Sequence, residues 1–382
     1  MEYIVSNNCI FFEKDEQFVI DNFVLQEQKV LKQEYLPLLI IFSKPISYSD
    51  AIKKAEEYGI SFEDADTVID QLIKAQVLEE YGRKITAVNW TVDSLPMAVR
   101  YFYYNSKTND KSYYEGSVSE LLTLSNKKEN KPNTFKEYPY NQQISLTLPD
   151  EGDSELLTTI LNRRTIRNTD PNKKITLQEI SELLYFSLGL TGQTFDSSMG
   201  NVTFRTVPTP GGRASIESYV VNNSINNGIP VGVFHYNSRK NKLELISEVN
   251  MKNKIVQFTG GQLHTQSSSL FILFTSRIDR MVWKYQESVA LMASFIELGS
   301  IIQNQYLIAD KLNIGACFIG AKRDTMFEDL LHLDKKVENF LGIMSLGKLV
   351  TDPMTKTDNV SRFYRTDLER LREEYNDGNE GV

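Results

Sequence analysis

Asn162 to Arg167 read Asn-Arg-Arg-Thr-Ile-Arg and follow the stretch Glu-Leu-Leu-Thr-Thr-Ile-Leu of residues 155–161. The apolar residues of that stretch are spaced as on one face of a helix. Arg163, Arg164 and Arg167 therefore cluster at a helix end. A solvated basic face is one explanation; the other is an anion site, because guanidinium forks pair with phosphate oxygens two at a time. Downstream, residues 208–221 read Pro-Thr-Pro-Gly-Gly-Arg-Ala-Ser-Ile-Glu-Ser-Tyr-Val-Val. Proline and paired glycines before an apolar strand let backbone approach a flat ligand closely, although a plain loop reads the same way. Residues 283–320 then run WKYQESVALMASFIELGSIIQNQYLIADKLNIGACFIG. Within them Val289, Met292, Phe295, Ile296, Ile302 and Leu307 predict a core helix buried on several sides.

Around these segments helices and strands alternate: residues 155–164 and 177–190 as helices, 218–223, 232–237 and 269–276 as strands, a long helix near Ser288 to Leu312, and a closing strand at 342–348. This region, residues 150–382, is the expected catalytic domain. Residues 105–149, rich in Asn, Lys, Ser and Tyr, predict an extended linker ending in Thr-Phe-Lys-Glu-Tyr-Pro-Tyr, with a brief helical piece at residues 117–125. Residues 1–104 form the expected N-terminal domain. Its alternating residues Tyr3 and Val5, then Phe18, Ile20 and Phe23, precede the helical stretch Tyr-Leu-Pro-Leu-Leu-Ile-Ile-Phe-Ser-Lys-Pro, which ends before Pro45. Ser49 or Asp50 can cap a second helix that stops at Gly59, and Phe62, Ala65, Ile69, Leu72 and Ile73 mark a third, followed by a short strand at Val77 to Gly82. Three short helices and a β-wing predict a winged-helix-like module.

The 382 residues carry 41% hydrophobic side chains, enough for real cores and too many for a disordered chain. Net charge is −8 and the pI near 5.2, so the molecule repels phosphate backbones. The third helix sets Glu63, Asp64, Asp66 and Asp70 against one lysine, Lys74, which predicts no nucleic-acid partner. Cys9 and Cys317 are far apart and form no CxxC, which argues against a disulfide scaffold or structural zinc and for a reducing, cytoplasmic setting. No apolar run suits a signal peptide or a membrane span.

Taken in order, these segments resemble the nitroreductase-like flavoenzymes, and specifically the SagB-type dehydrogenases of ribosomally made peptide natural products. Asn-Arg-Arg-Thr-Ile-Arg is similar to the family's Arg-Arg-Ser-x-x-Arg motif, residues 208–217 to its Pro-Ser-x-Gly loop ending in Glu-x-Tyr, and Trp283-Lys284-Tyr285 to its Trp-Lys-Tyr segment. Glu297 to Asn304 resembles its Asp-x-Gly-His-x-x-Gln-Asn helix, residues 312–321 its Leu-Gly-x-Gly strand, and residues 344–348 its closing strand; the N-terminal module and Phe-Lys-Glu-Tyr-Pro linker also look like those that precede the family's catalytic domain. The resemblance implies an α+β nitroreductase-like fold, a central mixed sheet flanked by helices. It implies FMN held by Arg163, Arg164, Thr165 and Arg167, with Thr209, Gly211, Gly212 and Gln303 beside it and Lys348 closing the phosphate site. A backbone N–H from Ile319, Gly320 or Ala321 would point at flavin N5. A homodimer, a precursor-peptide substrate and other peptide-modifying enzymes as partners are implied with it; no metal is.

Lys284 and Tyr285 match the dipeptide that takes the proton in the family's azoline oxidases, where thiazoline or oxazoline loses a proton from one carbon and a hydride from its neighbour. Both groups are protonated in neutral water, so burial or a nearby cation must favour proton loss from at least one. This chain departs from the pattern: Val289 and Met292 stand where many members have Arg-x-x-Arg, Glu297 and Ser300 replace Asp and His, and Ala214-Ser215 replaces His-Pro. The departures leave open a reversed reaction, in which NAD(P)H supplies FMN and dehydroalanine or dehydrobutyrine is reduced to the D-amino acid of a lanthipeptide. A non-catalytic peptide-holding scaffold is a third reading. His235, His264 and His332 lie outside the matching segments and read as structural.

Overall fold

The computed structural model describes residues 1–82, 91–107, 136, 140, 142, 144, 154–285 and 287–350. The chain divides into two compact units, one built on Met1–Lys107 with Tyr285–Ser288 and the other on Thr108–Lys284 with Val289–Val382. The brief helix expected at residues 117–125 and almost all of the expected linker lie outside the described residues.

The first unit runs β1 (Glu2–Val5), β2 (Cys9–Lys14), β3 (Gln17–Asn22), β4 (Glu27–Leu31), α1 (Leu36–Ile41), β5 (Ile46–Ser47), α2 (Tyr48–Glu57), α3 (Phe62–Lys74), β6 (Leu78–Glu80) and α4 (Met97–Asn105). The helices start and stop for local reasons. The Ser47 side chain accepts the Asp50 N–H, so Ser47 is the cap of α2 in place of the expected Ser49 or Asp50. Gly59, at φ +81°, ends it: the Gly59 N–H bonds Glu56 and the Ile60 N–H bonds Ala55, closing a Schellman turn. Ala65, Val68, Ile69 and Leu72 turn one face of α3 into a core with Leu38, Phe42, Ala51 and Ala55, while Glu63, Asp64, Asp66 and Asp70 stay in water. Two three-stranded antiparallel sheets share this unit, β5-β1-β6 and the meander β2-β3-β4. The meander was not expected: its first turn uses Asp15 and Glu16, at φ +52° and +61°, where Asn-Gly is the usual signal. Cys9 and Cys317 are free and buried, and burial pushes the Cys9 thiol up to about 12.

The second unit runs α5 (Glu155–Asn162), α6 (Leu177–Leu188), β7 (Leu190–Asp196), β8 (Gly200–Arg205), β9 (Ile216–Asn222), β10 (Gly232–Asn237), β11 (Lys242–Ser247), α7 (Ile255–Phe258), β12 (Leu270–Arg277), α8 (Ile278–Tyr285), α9 (Val289–Lys311), β13 (Ile314–Ile319), α10 (Asp324–Leu330) and β14 (Glu338–Lys348). Six strands form one sheet in the order β11-β10-β9-β12-β14-β13, and every pairing in it is antiparallel, which corrects the expected mixed sheet. Strands β12 and β13, joined through α8 and α9, do run parallel, but β14 returns between them antiparallel to both. One face packs Val220, Ile272, Phe274 and Met344 under α6 and α9. The other packs Val221, Phe271, Leu273 and Ile343 with Phe258 of α7 and Phe327 of α10. No helix of the described residues is long and apolar enough to cross a membrane.

Two helices break the expected burial. Val289, Met292, Phe295 and Ile296 of α9 are 42–63% exposed, and its buried positions are instead Ala290, Leu291, Ala293, Ser294, Glu297, Leu298, Ile301, Gln305 and Ala309. Helix α5 buries nothing, and Leu156, Leu157, Ile160 and Leu161 are all exposed. Periodicity marks these residues as apolar without saying what covers them.

Residues 163–170 lie along the sheet edge. The Ile166 N–H donates to Ala316 of β13 at 2.9 Å and the Asp170 N–H to Lys348 of β14 at 2.8 Å. A Cβ at Gly315 would stand 2.9 Å from Thr169 Cγ2, and one at Gly347 only 2.4 Å from Thr169 Oγ1. Close approach here therefore requires glycine. Gly347→Ala is expected to cost about 1–3 kcal/mol through overpacking, read as a lower urea midpoint for unfolding of this unit.

Candidate active site

The glycine loop and α8 meet because their strands are neighbours. In the β9–β12 pair Ile216 faces Ser276, so the loop entering β9 and the helix leaving β12 emerge at the same end, tied by the Arg277 N–H donating to Ser215 at 2.8 Å. Residues 283–285 are helical. Ile278, Met281 and Val282 bury one side of α8, and Arg280 and Lys284, one turn apart, share another. Both reach the loop: Arg280 Nη1 donates to the Ala214 carbonyl at 2.7 Å and Lys284 Nζ to the Gly211 carbonyl at 3.0 Å. Met199 Sδ, in the β7–β8 turn, also lies 3.2 Å from Lys284 Nζ. Tyr285 is the last residue of the helix.

The loop itself is held in an unusual path. Gly211, Gly212 and Ala214 have φ of +59°, +68° and +44°, and a Cβ at Gly212 would come within 2.7 Å of Val202 on β8. The Gly212 N–H returns to the Thr209 carbonyl at 3.0 Å, and the Arg213 guanidinium covers the Trp283 ring at 4.3 Å. Beyond Ala214, Ser215 donates its N–H and hydroxyl to one Glu297 oxygen at 3.0 and 2.9 Å. Glu297 is 1% exposed, and burial pushes its carboxyl above the usual range in spite of those bonds. Two departures from the family pattern, Ser215 and Glu297, are thus partners of each other.

On the sheet's other face Glu217 accepts from Arg280 Nη2 at 2.5 Å and lies 3.2 Å from His235 Nε2, whose Nδ1 is 3.0 Å from Glu244. Burial would raise the Glu217 carboxyl, but the His235 hydrogen bond and the Arg280 charge outweigh it and hold it below the usual range. The bond to Glu217 raises the His235 imidazole, opposed by burial and aided by Glu244. Beside them Tyr219 and Thr275 donate to Glu338 at 2.9 and 2.6 Å.

The arginine segment forms a separate group. Arg163 caps the end of α5 and lies over the Tyr306 ring of α9 at 5.4 Å. It makes no ion pair among the described residues. The Tyr306 hydroxyl accepts the Phe318 N–H at 2.8 Å and is 3.3 Å from Thr165 Oγ1, which joins this segment to β13. Arg164 Nη1 donates to the Leu161 and Arg163 carbonyls, two acceptors that the helix end leaves open. Arg167 is exposed. Ile319, the last residue of β13, is buried, and past it the N–H groups of Gly320 and Ala321 meet no acceptor among the described residues. Gln303 is exposed on the same side of α9 as Met292 and Ile296. Lys348 instead pairs with Glu179 of α6 and approaches the Leu312 carbonyl at 3.5 Å, so its charge is already engaged. An unpaired guanidinium, a second arginine beside it and two free amides suit a ligand carrying both phosphate and ring acceptors, as FMN does.

The nitroreductase family model matches residues 160–348. Residues 160–348 form a nitroreductase-family domain. The chain is 23% identical over 316 residues to the trifolitoxin-processing protein TfxB of Rhizobium leguminosarum bv. trifolii, covering 78% of this chain and 83% of that one. It is similar to a chain of the Escherichia coli microcin synthetase McbBCD complex solved with truncated pro-MccB17, at 17% identity and TM-score 0.51, covering 67% of this chain and 92% of that one. The NADPH:FMN oxidoreductase of Vibrio harveyi, solved with NAD+, is 17% identical with a TM-score of 0.37, covering 59% of this chain and 87% of that one.

The sequence reading missed Arg280 and the hairpin residue Met199 as neighbours of Lys284, and Glu217 as the partner of Arg280. Arg280 could have been found from its spacing, one helical turn before Lys284; Met199 had no local signal.

The His235–Glu217 pair sets a pH dependence with a definite sign. His235, raised on folding, contributes stability in full below its ordinary value of about 6.5 and loses it as pH rises through its raised folded value. Tm is expected to fall as pH rises above about 6.5, and His235→Gln to flatten that slope; an equally steep fall in the variant would assign it elsewhere.

Proposed function

We propose that this chain is an FMN-dependent oxidoreductase acting on a ribosomally made precursor peptide, and that it dehydrogenates thiazoline or oxazoline rings. The observation that carries the cofactor reading is Arg163, which has no carboxylate partner among the described residues and is joined through Tyr306 and Thr165 to the strand that ends in the free amides of Gly320 and Ala321. Arg163, Arg164 and Arg167 would hold the phosphate, and Thr209, Gly211 and Gly212 would line the ring. FMN bound there supplies a hydride acceptor. Lys284 and Tyr285 are the groups that would take the accompanying proton; Lys284 is held at the Gly211 carbonyl, on the loop assigned to the ring. The names of two similar proteins, a trifolitoxin-processing protein and a microcin synthetase complex with truncated pro-MccB17 bound, support the reading of a precursor substrate.

The N-terminal unit, read as a winged-helix-like module, would hold that peptide. It carries an open apolar groove of about 880 Å³ lined by Val5, Phe11, Phe18, Leu36, Leu39 and Ile40, the kind of surface that takes alternate side chains of an extended segment. A second copy of the chain would cover the exposed apolar residues of α5 and α9, since helices that leave four such residues each in water are poorly stable without a partner. Reduction of dehydroalanine by NAD(P)H is the competing direction. Val289 and Met292, exposed where arginines stand in many relatives, are the observation that favours it.

The decisive experiment adds NADPH or NADH to the purified flavoprotein without oxygen and follows the flavin band. Resistance to both donors, with bleaching by an azoline peptide, is the expected result; rapid bleaching by NAD(P)H would establish the reductase. A colourless protein would leave a peptide-holding scaffold. Arg163→Ala is expected to strip the flavin, and Lys284→Ala to keep it while slowing turnover about 10²-fold. Ile296→Glu is expected to halve the mass measured by light scattering; an unchanged mass would remove the dimer.

A further inference from the structure

We infer that Arg280 is a positioning residue that holds the glycine loop in its left-handed turn and thereby sets where Lys284 meets it; its bearing on turnover rests on the catalytic reading of Lys284, while the clamp itself does not. Ala214, at φ +44°, adopts a conformation that residues with a side chain rarely take. Such a turn persists only where its surroundings over-determine it. Here both sides are fixed: Arg280 Nη1 holds the Ala214 carbonyl at 2.7 Å, and Glu297 holds the next N–H at 3.0 Å. The same guanidinium spends its other nitrogen on Glu217 at 2.5 Å, which anchors it to strand β9, and the Arg280 carbonyl accepts Arg213 Nε at 3.4 Å. Arg213 in turn covers Trp283. Loop and helix are therefore laced together on both sides of the Lys284–Gly211 contact. The guanidinium bridges Ala214 and Glu217 from two nitrogens held in one plane, whereas lysine at this position keeps the charge but offers a single nitrogen on a differently shaped chain.

The test uses the full chain with its flavin. In Arg280→Gln and Arg280→Lys, acylation of Lys284 by a water-soluble succinimidyl ester is followed by mass spectrometry, with exposed lysines as the internal standard, beside hydrogen exchange of residues 209–217. The expected result is acylation of Lys284 about tenfold faster, the factor for loss of about one hydrogen bond, and faster loop exchange, with exchange in β12 unchanged. Wild-type rates at Lys284 in a folded variant would overturn the inference. Should Arg280→Gln fail to fold, Arg280→Lys decides. In turnover, the Arg280→Gln, Lys284→Ala double variant is expected to be no slower than Lys284→Ala alone, and additive losses would count against action through Lys284. Unchanged turnover in Lys284→Ala would sink the catalytic reading of that lysine and leave the acylation result standing, so the two claims fail separately.

Discussion

Strand β12 is the constraint on which the second unit depends. Its first seven residues are buried, because α6 and α9 cover one face of the sheet and α7 and α10 the other, and its neighbours β9 and β14 pair with it along nearly its whole length. A strand covered on both faces must be apolar on both, as Leu-Phe-Ile-Leu-Phe is. Because its pairing with β9 is antiparallel, the end of β12 and the beginning of β9 are forced together, and with them α8 and the glycine loop. Because β14 pairs with its other side, β13 follows, and with β13 the arginine segment that lies along the edge. Both halves of the candidate site thus hang from the register of one buried strand.

The loop between these elements is stabilised by charge at points where its backbone is least relaxed. Lys284 and Arg280 hold two carbonyls three residues apart, and Glu297 holds the N–H that follows. Each of these donors or acceptors is charge-capable, and charge-assisted bonds are the stronger class. The Ser215–Glu297 contact shows why the two departures belong together: a proline at position 215 would have no N–H or hydroxyl to offer, and the buried carboxyl would then lack both donors.

Helices α5 and α9 show the limit of reading burial from pattern. The apolar residues of α9 were legible as apolar and helical, and the helix spans the expected range almost residue for residue. Which of them face the protein's own core was not legible, since a residue left exposed and one covered by the same chain have the same hydrophobicity. The small residues Ala290, Ala293 and Ser294 occupy the tight inner face, and the large ones Met292, Phe295 and Ile296 are left outside.

The sequence by itself determined the second unit's alternating helices and strands, the helix-ending arginines, the glycine turn and the acidic face of α3, because each is written in local periodicity or in residues with special backbone freedom. It could not show the β2–β3 hairpin, whose Asp15-Glu16 turn lacks the usual glycine, nor the antiparallel character of the sheet, which depends on where β14 inserts. Nor could it show that Lys348 is taken by Glu179, that Met199 stands at Lys284, or that Arg280 bridges Ala214 and Glu217. Those contacts join residues dozens of positions apart, and only tertiary packing, which sets strand order and register, brings such residues within hydrogen-bonding distance.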